Sequence, residues 1–120
     1  MKKLSLALAA SALFAFASGA FAADLVAGKA AYEKFNCASC HGADGKTSVM
    51  PSYPILAGQH EDFLRHALGA YKRGASGAPA TANIRKNAIM GAMAAPLSTT
   101  DVANIAAWLS SLPSPLAVRK

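Results

Sequence analysis

The sequence predicts a small all-α domain of three to five short helices joined by long loops. Three observations predict it. Apolar residues recur at helical spacing in three segments, no segment alternates apolar with polar residues as a half-buried strand does, and the intervals between helices are rich in Gly, Ser and Pro.

The 120-residue chain opens on Met1-Lys2-Lys3, runs through an Ala- and Leu-rich stretch from Leu4 to Phe16, and reaches Ser18-Gly19-Ala20-Phe21-Ala22. This is the pattern of a secretory signal peptide, and cleavage after Ala22 places small residues, Ala20 and Ala22, at both recognition positions. Residues 1–22 are therefore expected to be removed on export to the periplasm, leaving residues 23–120 as one domain. An uncleaved membrane anchor is the competing reading. Ser11, Ser18 and Gly19 interrupt the apolar run and weaken it, and no cysteine stands at the cleavage position to take a lipid. Residues 23–120 contain no other apolar run long enough to span a bilayer, so no integral membrane segment is expected in the mature chain.

Asp24 is a cap candidate for a helix to Asn36, with Val26, Ala27, Ala30, Ala31 and Phe35 at helical spacing. Gly42 to Gly58, with Pro51 and Pro54 close together, reads as a loop. Phe63, Leu64, Ala67, Leu68 and Tyr71 form a helical stripe over Glu61 to Arg73, expected to stop at Gly74. A second loop follows to Asn83, and a short helical turn is expected over Ile84 to Met90. The last helix has the clearest pattern. Ser98-Thr99-Thr100-Asp101 fits a capping-box variant, Val102, Ile105, Ala106, Leu109 and Leu112 share one face, and Pro113 and Pro115 end it. An alanine-rich domain of this size has few large side chains with which to fill a core. Long loops in a compact domain also need a reason, and wrapping a large flat cofactor supplies one.

Cys37-Ala38-Ser39-Cys40-His41 supplies the chemistry: it matches C-x-x-C-H, the haem c attachment signature, and uses both cysteines of the chain. Thiols three residues apart lie on one face of a helical turn, where each can add to one of two vinyl groups on a porphyrin. The adjacent histidine then reaches the iron. A structural disulfide or a thioredoxin-like redox pair would also suit an oxidising compartment, but the latter needs a strand-helix-strand setting that is missing here. Zinc held by Cys37, Cys40 and His41 with His60 or His66 lacks the second paired motif usual for structural zinc. A six-coordinate haem wants a second axial ligand, and a methionine sulfur favours the ferrous form. Met50 lies too close to His41 in sequence to reach the opposite face readily. Met90 and Met93 are both placed to do so, and spacing alone does not separate them; either could equally be a packing residue.

These residues resemble those of class I c-type cytochromes, most closely the small bacterial cytochromes c-553 and each half of the di-haem cytochromes c4. The resemblance runs from Gly28 to Leu112. It rests on the haem motif, Tyr53-Pro54-Ile55-Leu56-Ala57-Gly58-Gln59, Tyr71-Lys72-Arg73-Gly74, and Met90-Gly91-Ala92-Met93-Ala94-Ala95-Pro96-Leu97-Ser98. It implies the cytochrome c fold around one covalently bound haem c. By position in the methionine loop it selects Met90 as the iron ligand opposite His41 and leaves Met93 to packing. It implies that the Pro54 carbonyl accepts a hydrogen bond from His41, that Leu56 packs on the haem, and that Gly28 and Tyr32 on the first helix meet Ile105 and Trp108 on the last. Gln59 or Asn87 could reach a propionate or be ordinary surface polar residues, and His60 and His66 read as surface residues. The chain departs from cytochromes c4 in having one haem motif, so an inter-haem interface does not transfer.

The function this implies is one-electron transfer between periplasmic or membrane-bound redox complexes, with no enzymatic step and no small-molecule substrate. The alternative is a haem protein that senses a ligand or serves as the electron-transfer subunit of a larger periplasmic dehydrogenase. The formal charge is +6, of which Lys2 and Lys3 contribute two, so residues 23–120 are expected to have +4. The cations are scattered without interleaved aromatics, which argues against nucleic-acid binding and suits steering toward redox partners that are acidic at the docking surface.

Overall fold

The computed structural model describes residues 22–116. The expected signal segment, apart from Ala22, lies outside them, as do Arg119 and Lys120. The described residues form five α-helices and no strand: α1 (Leu25–Lys34), α2 (Ala38–His41), α3 (Glu61–Ala75), α4 (Ala88–Ala94) and α5 (Thr99–Ser111), with a single 3-10 turn at Ala80–Ala82 between α3 and α4.

Local chemistry sets the ends of these helices. The Asp24 carboxylate accepts hydrogen bonds from the N–H groups of Val26 and Ala27 at 2.8 and 3.0 Å, satisfying two donors that have no partner within α1. Ser98 and Asp101 form a reciprocal capping box at the start of α5: Asp101 N–H donates to Ser98 Oγ at 3.0 Å and Ser98 N–H donates to the Asp101 carboxylate at 2.9 Å. The Ser98 hydroxyl, which donates to the Asp101 carboxylate at 2.7 Å, and then the Ser98 N–H hold the Asp101 pKa below the usual carboxylate value.

The core is centred on α5, which buries Val102, Ile105, Ala106, Ala107, Trp108 and Leu109. Its most extensive contact is with α1, and it also packs on α3, which in turn carries α4. The α1–α5 crossing depends on Gly28. A Cβ there would lie 2.1 Å from the Asn104 carbonyl oxygen and 2.8 Å from Trp108 Cβ, so only glycine lets the two backbones approach this closely. Beside it Tyr32, 1% exposed, packs its ring 4.9 Å from that of Trp108 in a tilted pair. Ala31, Leu64, Ala94, Leu97, Ile105 and Leu109 complete the centre of this cluster.

Three expected boundaries differ. The first helix ends at Lys34, short of the expected Asn36, which takes the left-handed conformation (φ +56°). The third helix runs through Gly74 to Ala75. Glycine is needed at 74 because a Cβ would lie 2.1 Å from the Arg85 carbonyl oxygen, so the residue serves a close approach and does not stop the helix. Gly77, at φ +78°, follows the end of the helix and takes the left-handed conformation. The short helix expected over Ile84 to Met90 lies instead at Ala88–Ala94, because Asn87 is extended (φ −151°) and caps it, accepting from Met90 N–H at 2.9 Å.

Candidate haem-binding site

Tyr32 brackets the C-x-x-C-H segment at both ends. Its backbone carbonyl accepts the Cys37 N–H at 3.1 Å, and its hydroxyl donates to the Gly42 carbonyl at 2.8 Å, ten residues along. Burial pushes the Tyr32 phenol well above its ordinary pKa, so it remains a donor at any physiological pH. Asn36 turns the chain in the left-handed region (φ +56°), a conformation asparagine tolerates, and α2 begins directly after Cys37. One helical turn then joins the motif, with Cys40 N–H and His41 N–H both directed to the Cys37 carbonyl, at 3.3 and 3.1 Å.

Cys37 and Cys40 are both free thiols, half-buried on this turn. Burial, reinforced by the neighbouring Cys40, pushes the Cys37 thiol pKa up against the opposing effect of a backbone hydrogen bond. His41 is the one buried charged or strongly polar side chain among the described residues, at 6% exposure. Its Nδ1 lies 3.1 Å from the Pro54 carbonyl oxygen, which can only accept, so Nδ1 bears the proton and Nε2 presents its lone pair. The Tyr53 ring sits 6.1 Å from the imidazole, tilted by 52°.

The loop that supplies Pro54 is held at several points. Leu56 and Ala57 donate to the Gly45 carbonyl at 2.8 and 3.0 Å, and Gly58 donates to the Leu109 carbonyl of α5 at 2.8 Å. Upstream, the Asp44 carboxylate accepts from Lys46 N–H, Thr47 N–H and the Thr47 hydroxyl, which pulls its pKa down to about 2.

Leu56 is half-buried against the core, together with Leu68 and Tyr71 of α3. Met90 and Met93 are both half-buried on α4, which packs on α3, whereas Met50 is 49% exposed. Gln59 donates its side-chain amide to the Ile55 carbonyl, and Asn87 uses its side-chain oxygen to cap α4. Both side chains thus have structural partners within the chain. His60 and His66 are exposed, and no cluster of three or more His, Cys, Asp or Glu side chains among the described residues could hold a bare metal ion. The zinc alternative therefore has no geometric support. Tyr32 was legible as a packing residue, but its hydroxyl tie to Gly42 was not, since nothing in the spacing marks a bond across ten residues.

The donor set fits one haem c: two free thiols on a single turn, a buried imidazole with one nitrogen engaged and the other available, and half-buried apolar side chains beside them. An all-α domain built around a C-x-x-C-H turn of this kind is a c-type cytochrome domain. The family model for cytochrome c matches residues 25–113, and the chain belongs to the cytochrome c family. It is 40% identical to cytochrome c6 of Picosynechococcus sp. over 116 residues, 92% of this chain and 93% of that protein. It is 38% identical to the thiosulfate dehydrogenase electron acceptor of Thiomonas intermedia over 80 residues, 67% of this chain and 33% of that protein. The crystal structure of reduced recombinant cytochrome c4 from Pseudomonas stutzeri superposes with a TM-score of 0.66 at 41% identity, covering 77% of this chain and 47% of that one. The chain thus spans nearly all of the first relative, a third of the second and about half of the third. It is an electron-transfer cytochrome with one haem c.

Proposed function

We propose that the chain is an exported carrier in which Cys37 and Cys40 form the thioethers, His41 is one axial ligand and the Met90 sulfur is the other. Removal of residues 1–22 would leave residues 23–120 as the working domain in the periplasm. The observation that supports this best is the buried His41 imidazole, oriented by the Pro54 carbonyl next to two free thiols. When bound, haem supplies an iron that alternates between ferric and ferrous states. The protein's part is to hold the ligands in place. The Pro54 carbonyl fixes the tautomer and ring orientation of His41 by accepting from Nδ1, as an acceptor behind a ligating histidine does. Leu56 would cover part of the haem face and keep water from it. No substrate bond is made or broken in this reading, so the chain has no enzymatic step. Its partners would meet it through small, short-lived contacts and be acidic where they dock.

Replacing Met90 and Met93 in turn by alanine tests the ligand assignment. Met90→Ala is expected to lower the reduction potential, open a site that binds carbon monoxide and abolish the sulfur-to-iron charge-transfer band, while Met93→Ala keeps all three unchanged. The opposite pattern would make Met93 the ligand. The similarity to the Thiomonas protein favours a second reading, in which the chain is the dedicated electron acceptor of one dehydrogenase.

A further inference from the structure

The helix that contains Met90 and Met93 cannot hold its own position. α4 is 7 residues long, and a helix this short is marginal in water without support from its neighbours. That support comes from α3. Gly91 lies against it, where a Cβ would stand 3.4 Å from Ala75 Cβ and 3.9 Å from the Tyr71 carbonyl oxygen. Before α4 the chain is tied to α3 twice. Arg85 N–H donates to the Ala70 carbonyl at 3.0 Å, and the Arg73 guanidinium donates to the carbonyls of Ala82 and Asn83 at 2.9 and 2.8 Å.

After α4 the chain has one polar tie to α3 among the described residues. The half-buried Lys72 donates its ammonium to the Leu97 carbonyl. The backbone offers nothing in its place: Ala95 and Leu97 N–H groups bond back to Gly91 and Ala94 within the segment, at 3.0 and 3.2 Å, and Pro96 has no N–H. No carboxylate competes for the ammonium, since the ion pairs among the described residues are Lys29–Glu33 and Arg65–Asp62. Lys72 and Arg73 are consecutive, so their side chains leave α3 about 100° apart and reach opposite ends of the same span. Arg73 fixes the chain before α4, and Lys72 fixes it after. Leu97 is thereby held from two sides, its side chain in the core at 3% exposure and its carbonyl on Lys72.

We infer that Lys72 is a positioning residue for the axial methionine: its bond to the Leu97 carbonyl closes the methionine segment onto α3 and sets how often the sulfur leaves the iron. A hydrogen bond from a charged donor, partly shielded from water, contributes more than a neutral one. Its loss would act on local opening of residues 88–97, because the α1–α5 core does not depend on it. The inference rests on the reading in which a methionine of α4 is an iron ligand.

The test is imidazole binding to the ferric holoprotein, followed by absorbance. Imidazole enters only when the sulfur has left the iron, so its apparent affinity scales with the open fraction. Lys72→Met keeps the aliphatic stem and removes the donor, Lys72→Gln is a second variant lacking the charge, and Lys72→Arg keeps a charged donor. Lys46→Met is the control, because it removes an ammonium-to-carbonyl bond to Pro113, at 3.4 Å, outside the methionine segment. Lys72→Met and Lys72→Gln are expected to bind imidazole at least about threefold more tightly than the unaltered protein, and Lys72→Arg and Lys46→Met to stay within about twofold of it. The first two should also lose the sulfur-to-iron charge-transfer band at a lower temperature, well before the helical circular dichroism signal melts. Unchanged imidazole affinity in both, or an equal rise in Lys46→Met, would overturn the role of Lys72. The ligand reading fails separately, if neither Met90→Ala nor Met93→Ala abolishes the charge-transfer band.

Discussion

The α1–α5 crossing and the segment from Ser76 to Leu97 are held together by different means. At the crossing, two helices meet through buried apolar surface, a glycine with no room for a Cβ and a tilted aromatic pair. The later segment buries little of itself: Gly91, Ala94 and Leu97 are its buried residues, and it is held to α3 by hydrogen bonds from the Arg73 guanidinium to the Ala82 and Asn83 carbonyls, from Lys72 to the Leu97 carbonyl and from Arg85 N–H to the Ala70 carbonyl, with Asn87 capping α4 from within. The crossing tolerates almost no change, whereas the segment containing the methionines depends on bonds that can be removed one at a time. Scaffold and tunable surface are thus divided between two parts of a very small domain.

The sharpest way to break this comparison is Gly28→Val. Its side chain would have to displace the Asn104 backbone, and we expect a loss of about 3 kcal/mol or more in thermal or denaturant unfolding, or failure to fold. A loss below about 1 kcal/mol would show that α1 slides freely on α5. Tyr32→Phe keeps the ring pair but removes the bond to the Gly42 carbonyl, and should cost about 1 kcal/mol, measured in the same way. Cap removal compares the two regions directly. Ser98→Ala, at the start of the core helix, should cost about 1 kcal/mol of global stability, while Asn87→Ala should mainly speed amide hydrogen exchange in α4.

The smallest effect expected is from pH. The Asp44 carboxyl is held at about 2, below its ordinary value of 3.8. A depressed carboxylate contributes stability above its unfolded pKa and loses that contribution as pH falls through the folded value. The stability difference between the unaltered protein and Asp44→Asn should therefore be constant above about pH 5 and shrink between about pH 4 and pH 2. An NMR titration of Asp44 with a midpoint near 4 would show that the Thr47 and Lys46 bonds are not maintained in solution.

The scaffold was the more legible region because its signals are local. Asp24 and Ser98 announce helix starts at the very next residue through capping bonds that span only two or three residues, and the apolar stripes of α3 and α5 name their own buried faces. The haem turn was legible for the same reason, being five consecutive residues. The start of α4 was misplaced because Ile84, Ala88, Ile89 and Met90 offer apolar residues without a unique register, and the decisive signal was the cap at Asn87, which sequence reading had weighed as a propionate partner. Gly74 read as a helix stop because close backbone approach by Arg85, eleven residues later, leaves no local trace. The same holds for the two aromatic rings beside the Arg85 guanidinium, Phe63 and Tyr71, which come from α3 while Arg85 lies in the loop before α4.

The central claim is that Cys37, Cys40 and His41 hold one haem covalently with both axial positions filled. The most direct measurement is the absorption spectrum of protein matured by a cytochrome c assembly system, recorded oxidised, reduced, and reduced under carbon monoxide, with haem retention checked after acid–acetone extraction. The account predicts covalently retained haem, a low-spin spectrum in both oxidation states and no change with carbon monoxide. Haem lost on extraction would contradict the thioether assignment, and rapid carbon monoxide binding by the unaltered protein would contradict a filled sixth position.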